Sequence, residues 1–183
     1  MQAWAAHARE LLGGSPSPRL RELAEALGPG ARVLEVGCGG GRNTRYLSGV
    51  GFEVVALDVA SVPLLLLGAC CDRVRATADF HLPFVSSSFD AVVDSYAFTF
   101  VVERRLYARE LRRVLKPGGL LLLEFDAEPH VLGHEELEAA ARESFEGLFG
   151  FLYVRRVHHA WGCLYDETKE EIPAIAALLT PLK

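Results

Sequence analysis

The stretch Glu35-Val36-Gly37-Cys38-Gly39-Gly40-Gly41-Arg42-Asn43 decides how this chain is read. The apolar run before it, Ala31-Arg32-Val33-Leu34, reads as a buried strand. Thr44-Arg45-Tyr46-Leu47 after it reads as the start of a helix. A glycine turn between a strand and a helix lets backbone N–H groups and a helix N-terminus approach a ligand closely. The spacing says more than the glycines do. A dinucleotide fingerprint has glycines at its first, third and sixth positions. Counted from Gly37 the sixth position is Arg42, which disfavours a nicotinamide-dependent oxidoreductase. What stands here is an acid followed by Gly-x-Gly-x-Gly.

Moving outward, Glu53-Val54-Val55-Ala56-Leu57-Asp58 is an apolar strand ending in a carboxylate. An acid at the end of the second strand is placed to accept hydrogen bonds from ribose hydroxyls. Then come Ala76-Thr77-Ala78-Asp79-Phe80, Leu82-Pro83-Phe84 and Ser88-Phe89-Asp90-Ala91-Val92-Val93. Leu111-Arg112-Arg113-Val114-Leu115-Lys116-Pro117-Gly118-Gly119 leads into Leu120-Leu121-Leu122-Leu123-Glu124-Phe125. In this order, over residues 31–126, these pieces resemble class I S-adenosylmethionine-dependent methyltransferases. Gly41-Arg42-Asn43-Thr44 is similar to the small tellurite- and thiopurine-type members.

The resemblance implies S-adenosylmethionine as cofactor, S-adenosylhomocysteine as its product, and methyl transfer to a small-molecule acceptor. It implies that Gly37, Cys38, Gly39 and Gly41 pass the methionine part of the cofactor. Glu35 would face its ammonium, a reading the residue itself supports, because a carboxylate on an apolar strand needs a partner. Asp58 is expected at the ribose and Asp79 at the adenine amino group. Val59 and Phe80 are expected on the adenine faces, and the carbonyl of Ser95 as a further acceptor for the ammonium. The alternative from a different class is a binding or regulatory module that keeps the cofactor fold without turnover.

Strand and helix patterns alternate: strand 31–37, helix 43–50, strand 53–58, helix 61–70, strands 74–78 and 90–96, helix 102–115, strand 119–125, helix 134–147. Alternation of this kind predicts an α/β fold, a doubly wound Rossmann-like, mainly parallel sheet with helices on both faces. The ligand crevice then lies at the carboxyl ends of the strands. Two helices, 3–12 and about 20–27, are expected ahead of the first strand. Phe151 to Trp161 reads as a strand. Ile172 to Leu182 fits a helix or a strand, and the resemblance favours an antiparallel final strand. A single domain over 1–183 is expected: N-terminal helices or lid at 1–30, cofactor-binding core at 31–126, C-terminal helix and strands at 127–183.

Composition narrows the partners. The 183 residues are 50% hydrophobic with a net charge of −5, which gives no general attraction to nucleic acid or to anionic membranes. The N-terminus lacks a basic start followed by an apolar stretch, so no signal peptide is expected, and the location expected is cytoplasmic. A monomer or homodimer is expected. Scarce Asn, Gln and Met fit a thermophile, but scarce lysine points to a GC-rich genome instead. The cysteines, Cys38, Cys70, Cys71 and Cys163, form no Cys-x-x-Cys pair and read as reduced residues; the adjacent Cys70-Cys71 could alternatively bind a soft metalloid. No metal constellation is expected, since the neighbouring His158 and His159 point to opposite faces of a strand. The cations of helix 102–115 read as a solvated face suited to the helix dipole. No catalytic residue is assigned. Tyr96, Thr99, His130 and His134 are candidates for a general base near the crevice, and Trp4 for a lid.

Overall fold

The strands anticipated from the hydrophobic runs are present in a computed structural model of the chain, in which residues 14–126, 134–159 and 172–182 are described. They are β1 (Arg32–Val36), β2 (Glu53–Asp58), β3 (Asp72–Arg75), β4 (Phe89–Ser95), β5 (Leu115–Asp126), β6 (Phe149–His159) and β7 (Ile172–Pro181). They form one sheet in the order β3-β2-β1-β4-β5-β7-β6. The first five strands pair in parallel, and β7 pairs antiparallel with both β5 and β6. The fold is therefore the α/β, Rossmann-like one, with the antiparallel C-terminal hairpin that the resemblance implied. Strand order reverses between β1 and β4, the place where such sheets open a crevice.

Helices cover both faces because the strands are apolar on both. Alternate residues along a strand face opposite ways. Val33, Val54, Ala91, Val93 and Leu122 pack with Leu20 and Leu23 of α1 (Leu20–Leu27) and Leu47 of α2 (Arg42–Gly49). Their strand neighbours Leu34, Val55, Val92, Leu121 and Leu123 pack with Tyr107 and Leu111 of α4 (Arg104–Val114) and Leu137 and Phe145 of α5 (His134–Phe145). The short α3 (Ser61–Leu66) sets Leu64 against Ala56 and Cys38.

Several expected boundaries move, each for a local reason. Helix 61–70 stops at Leu66, because Gly68 turns the chain at φ +63°. Strand 74–78 is instead Asp72–Arg75: β2 ends at Asp58, so residues past Arg75 have no ladder to join. Strand 119–125 starts earlier, at Leu115. A bulge at Lys116-Pro117-Gly118-Gly119 shifts the register between Phe89↔Leu115 and Ala91↔Leu120. A Cβ at Gly119 would sit 3.0 Å from the Asp90 carbonyl, a tight fit that favours glycine in the bulge. Ile172–Pro181 is a strand. The expected helix 3–12, Trp4, His130, Trp161 and Cys163 lie outside the described residues, as do the side chains of His158 and His159.

Candidate cofactor-binding site

The turn after β1 is built from three left-handed glycines, Gly37, Gly39 and Gly41, at φ +70°, +49° and +74°. L residues with side chains rarely adopt such angles. Two of the three also face neighbours that exclude a side chain. A Cβ at Gly37 would lie 2.8 Å from Cβ of Ala97, and one at Gly41 only 2.1 Å from Cδ2 of Leu67. Gly41 thus serves the packing of the turn against the segment after α3. At Gly39 the nearest atom to an added Cβ is 3.9 Å away, so that stretch of backbone is open.

Asp58, at the end of β2, holds the turn in place. Its Oδ2 accepts from the Gly39 N–H at 3.0 Å, and its Oδ1 from the Ala60 N–H at 2.9 Å. The N–H groups of Gly37 and Cys38 donate to the Leu57 carbonyl at 2.8 and 3.2 Å. One carboxylate thereby spans the glycine turn and the start of α3. Oδ2 also accepts from the Cys38 thiol at 3.9 Å, a weak contact, and Oδ1 keeps a further lone pair for a ligand.

Glu35 is buried and accepts a hydrogen bond from the Thr44 hydroxyl of α2. Burial pushes its carboxyl up to about 7. It is not the solvated strand end that its terminal position allows. On the same face of the sheet, one and two strands along, lie Ser95 and Glu124, which are register partners. Glu124 is buried. It accepts from the Ser95 hydroxyl, from the Ser17 hydroxyl at 2.8 Å and from Arg19 at 3.0 Å. The opposite face carries Asp94, fully buried, which accepts from Tyr107 at 2.6 Å and from the N–H groups of Ala97 and Phe98 at 2.8 and 3.1 Å. Burial raises its carboxyl to about 7. Asp94 shapes the turn after β4, while Glu124 gathers the segment ahead of α1.

A cavity of about 260 Å³ opens at the carboxyl ends of β1, β2 and β4. Of the residues expected in a site, Glu35, Gly37, Cys38, Gly39, Asp58, Val59, Asp79 and Ser95 line it. Gly41 does not, for the packing reason above. Phe80 does not either; it is 64% exposed and outside the lining, whose apolar residues include Pro63, Ala76, Ala78, Phe100 and Val101. Asp79 accepts from the Thr77 hydroxyl at 2.9 Å. Arg42 and Asn43 also line the cavity, and sequence reasoning gave them no role. Their signal was position, immediately after the third glycine.

The candidate bases separate. Tyr96 lines the cavity, at a positive φ of 75° that few non-glycine residues adopt. Burial pushes its hydroxyl well above the ordinary tyrosine range. Thr99 instead clasps the end of β5, donating to Asp126 Oδ1 at 3.0 Å. The His134 ring nitrogen Nε2 lies 2.9 Å from the Val157 carbonyl, joining α5 to β6. Neither lines the cavity. Cys38 is buried and its thiol is pushed up by burial; Cys70, exposed, donates to the Leu67 carbonyl at 3.2 Å. Among the described residues no group of His, Cys, Asp or Glu is arranged to hold a metal ion.

Residues 34–123, about half of the chain, match the family described as a methyltransferase domain. A relative from Corynebacterium urealyticum, a demethylmenaquinone methyltransferase, is 38% identical over 108 residues, which cover 58% of this chain and 46% of that one. The chain spans about half the length of the curated relatives it matches. Among solved structures, an S-adenosylmethionine-dependent methyltransferase from Methanosarcina mazei superposes with a TM-score of 0.71 at 21% identity, covering 92% of this chain and 99% of that one. The [4+2]-cyclase SpnF superposes with a TM-score of 0.68, also at 21% identity, covering 88% and 79%. The fold thus serves more than one chemistry. Residues 34–123, which carry the acid, the glycine turn and the second acid around one cavity, therefore belong with the methyltransferase domains.

Proposed function

We propose that the protein transfers a methyl group from S-adenosylmethionine to a small-molecule acceptor. The observation that carries the reading is the cavity bounded by Glu35, the open backbone at Gly39 and Asp58. Glu35 and Ser95 suit an ammonium. The Asp58 carboxylate, with a lone pair open on Oδ1 and only the weak Cys38 thiol to displace on Oδ2, suits ribose hydroxyls. Val59, Pro63 and Ala78, with Asp79 beside them, suit a flat purine with an amino group. When bound, the cofactor supplies an electrophilic methyl carbon on a sulfonium whose departure leaves a neutral thioether. The protein's own part is then to hold donor and acceptor in line, which can supply much of the rate.

Tyr96, Ala97, Phe100 and Val101 also line the cavity, and we assign the acceptor to them. Phe100 is half exposed there. A raised hydroxyl stays protonated, so we assign Tyr96 to hydrogen bonding rather than to base catalysis. This surface favours an apolar, aromatic acceptor whose nucleophilic atom ionises easily or is carbon. The relatives named as demethylmenaquinone methyltransferases agree with that direction. We place the enzyme in the cytoplasm: Cys38, Cys70 and Cys71 are unpaired thiols, and no described helix is long and apolar enough to cross a membrane.

The test is incubation with methyl-labelled cofactor and a panel of phenols, quinols, thiols, amines, carboxylates and metalloid oxyanions. Label in any acceptor is the expected result. Tight S-adenosylhomocysteine binding with no transfer to any of them would favour the non-catalytic binding module instead.

A further inference from the structure

S-adenosylmethionine and S-adenosylhomocysteine end in an amino acid, a carboxylate beside an ammonium. Glu35 accounts for the ammonium and leaves the carboxylate without a counter-charge. The described lining contains three acids, Glu35, Asp58 and Asp79, and a single cation, Arg42. Arg42 is the first residue of α2, directly after the left-handed Gly41. Its charge acts on Glu35 and on Tyr96, favouring the ionised form of each, so it stands at the Glu35 end of the cavity. Among the described residues one of its five N–H donors is engaged, Nη1 with the Ser15 carbonyl at 3.1 Å. Two residues on, the Ser17 N–H donates to Oδ1 of the buried Asn43 at 2.9 Å. The segment ahead of α1 is therefore fastened to the first turn of α2 by neighbouring side chains.

We propose that Arg42 binds the carboxylate of the cofactor's amino-acid end and, through Ser15, couples an occupied cavity to the segment ahead of α1. The proposal rests on reading the cavity as an S-adenosylmethionine site. A planar guanidinium can meet a carboxylate with two parallel N–H bonds and still hold a carbonyl with a third. Glu35 and Arg42 would then match a zwitterion charge for charge. Ligands that keep adenosine and ammonium but lack the carboxylate should be discriminated against at this one residue.

Calorimetry on the full chain tests this with three ligands: S-adenosylhomocysteine, its decarboxylated analogue, and 5′-methylthioadenosine. Wild-type protein is expected to bind S-adenosylhomocysteine at least tenfold more tightly than the decarboxylated analogue. Arg42→Ala should lose tenfold or more for S-adenosylhomocysteine, and under threefold for the other two; Arg42→Lys should recover part of the loss. Hydrogen exchange at the Ser17 amide should slow on binding S-adenosylhomocysteine in the wild type, and much less in Arg42→Ala. Equal loss for all three ligands, or no loss for any, overturns the carboxylate assignment. Equal slowing at Ser17 in both proteins overturns the coupling. If wild-type protein binds none of the three, the cofactor reading itself falls and takes this inference with it.

Discussion

Replacing Glu35 with glutamine should make the protein more stable and a poorer binder. The carboxyl is 2% exposed, and burial raises it from 4.5 to about 7. A carboxylate raised on folding favours the native state while protonated. That advantage is fully present below about pH 4.5 and is lost as the pH rises to about 7. At about 1.4 kcal/mol per pH unit, the ionised side chain costs the folded ligand-free protein roughly 3 kcal/mol at pH 8. Glutamine keeps an oxygen to accept the Thr44 hydroxyl and carries no charge, so it escapes the cost. For a chain of this size about 3 kcal/mol corresponds to some 6–12 °C in Tm. Thermal unfolding of both proteins at pH 4.5 and pH 8, without ligand, is the assay. Glu35→Gln should gain several degrees at pH 8 and almost nothing at pH 4.5. A saturating dose of S-adenosylhomocysteine should reverse the order at pH 8, because its ammonium stabilises the carboxylate and not the amide. A gain independent of pH would refute the burial argument. An equal ligand-induced shift in both proteins would refute the pairing of Glu35 with the ammonium.

Asp58→Asn should weaken S-adenosylhomocysteine tenfold or more by calorimetry, since a hydrogen bond to a charged group contributes about 1.5–3 kcal/mol. Tyr107→Phe removes the hydroxyl donor to the buried Asp94 and should cost about 1–3 kcal/mol in urea unfolding, more at pH 8 than at pH 5, because the lost bond favours the ionised acid. Gly41→Ala forces a methyl group against Leu67 at φ +74° and should cost about 1–3 kcal/mol. Adding Leu67→Ala should recover part of that loss relative to Leu67→Ala alone; strict additivity of the two substitutions would show that the left-handed backbone, not the clash, sets the cost.

The sheet was legible because its strands are apolar on both faces and sit between short turns. Glu35 and Asp58 could be picked out because acids are conspicuous at the ends of such strands. Phe80 lies outside the cavity lining and is exposed, because adjacency to Asp79 says nothing about which way a loop residue turns. Gly41 looked like its two fellow glycines, but its need for glycine comes from Leu67, a contact made through tertiary packing alone. Asp94 and Glu124 were hidden for a similar reason. Each stands on an apolar strand, and its partners, Tyr107 for one and Ser17 and Arg19 for the other, lie on different elements. His134 has the right chemistry for a base and Thr99 a hydroxyl near the crevice in sequence, and only the folded chain shows each engaged with a strand of the sheet.

The position of β7 bears on how the molecule comes together. It is the last described strand in the chain, yet it lies inside the sheet, between β5 and β6. During synthesis β5 must therefore wait, with Leu121 to Asp126 presenting an unpaired edge, until residues 174–179 have emerged to meet it. Strand β6 is made earlier but has no partner in the sheet until β7 arrives. The cofactor end of the sheet can be assembled long before this closing step, and a nascent chain halted between them would expose an adhesive strand beside a nearly finished binding site.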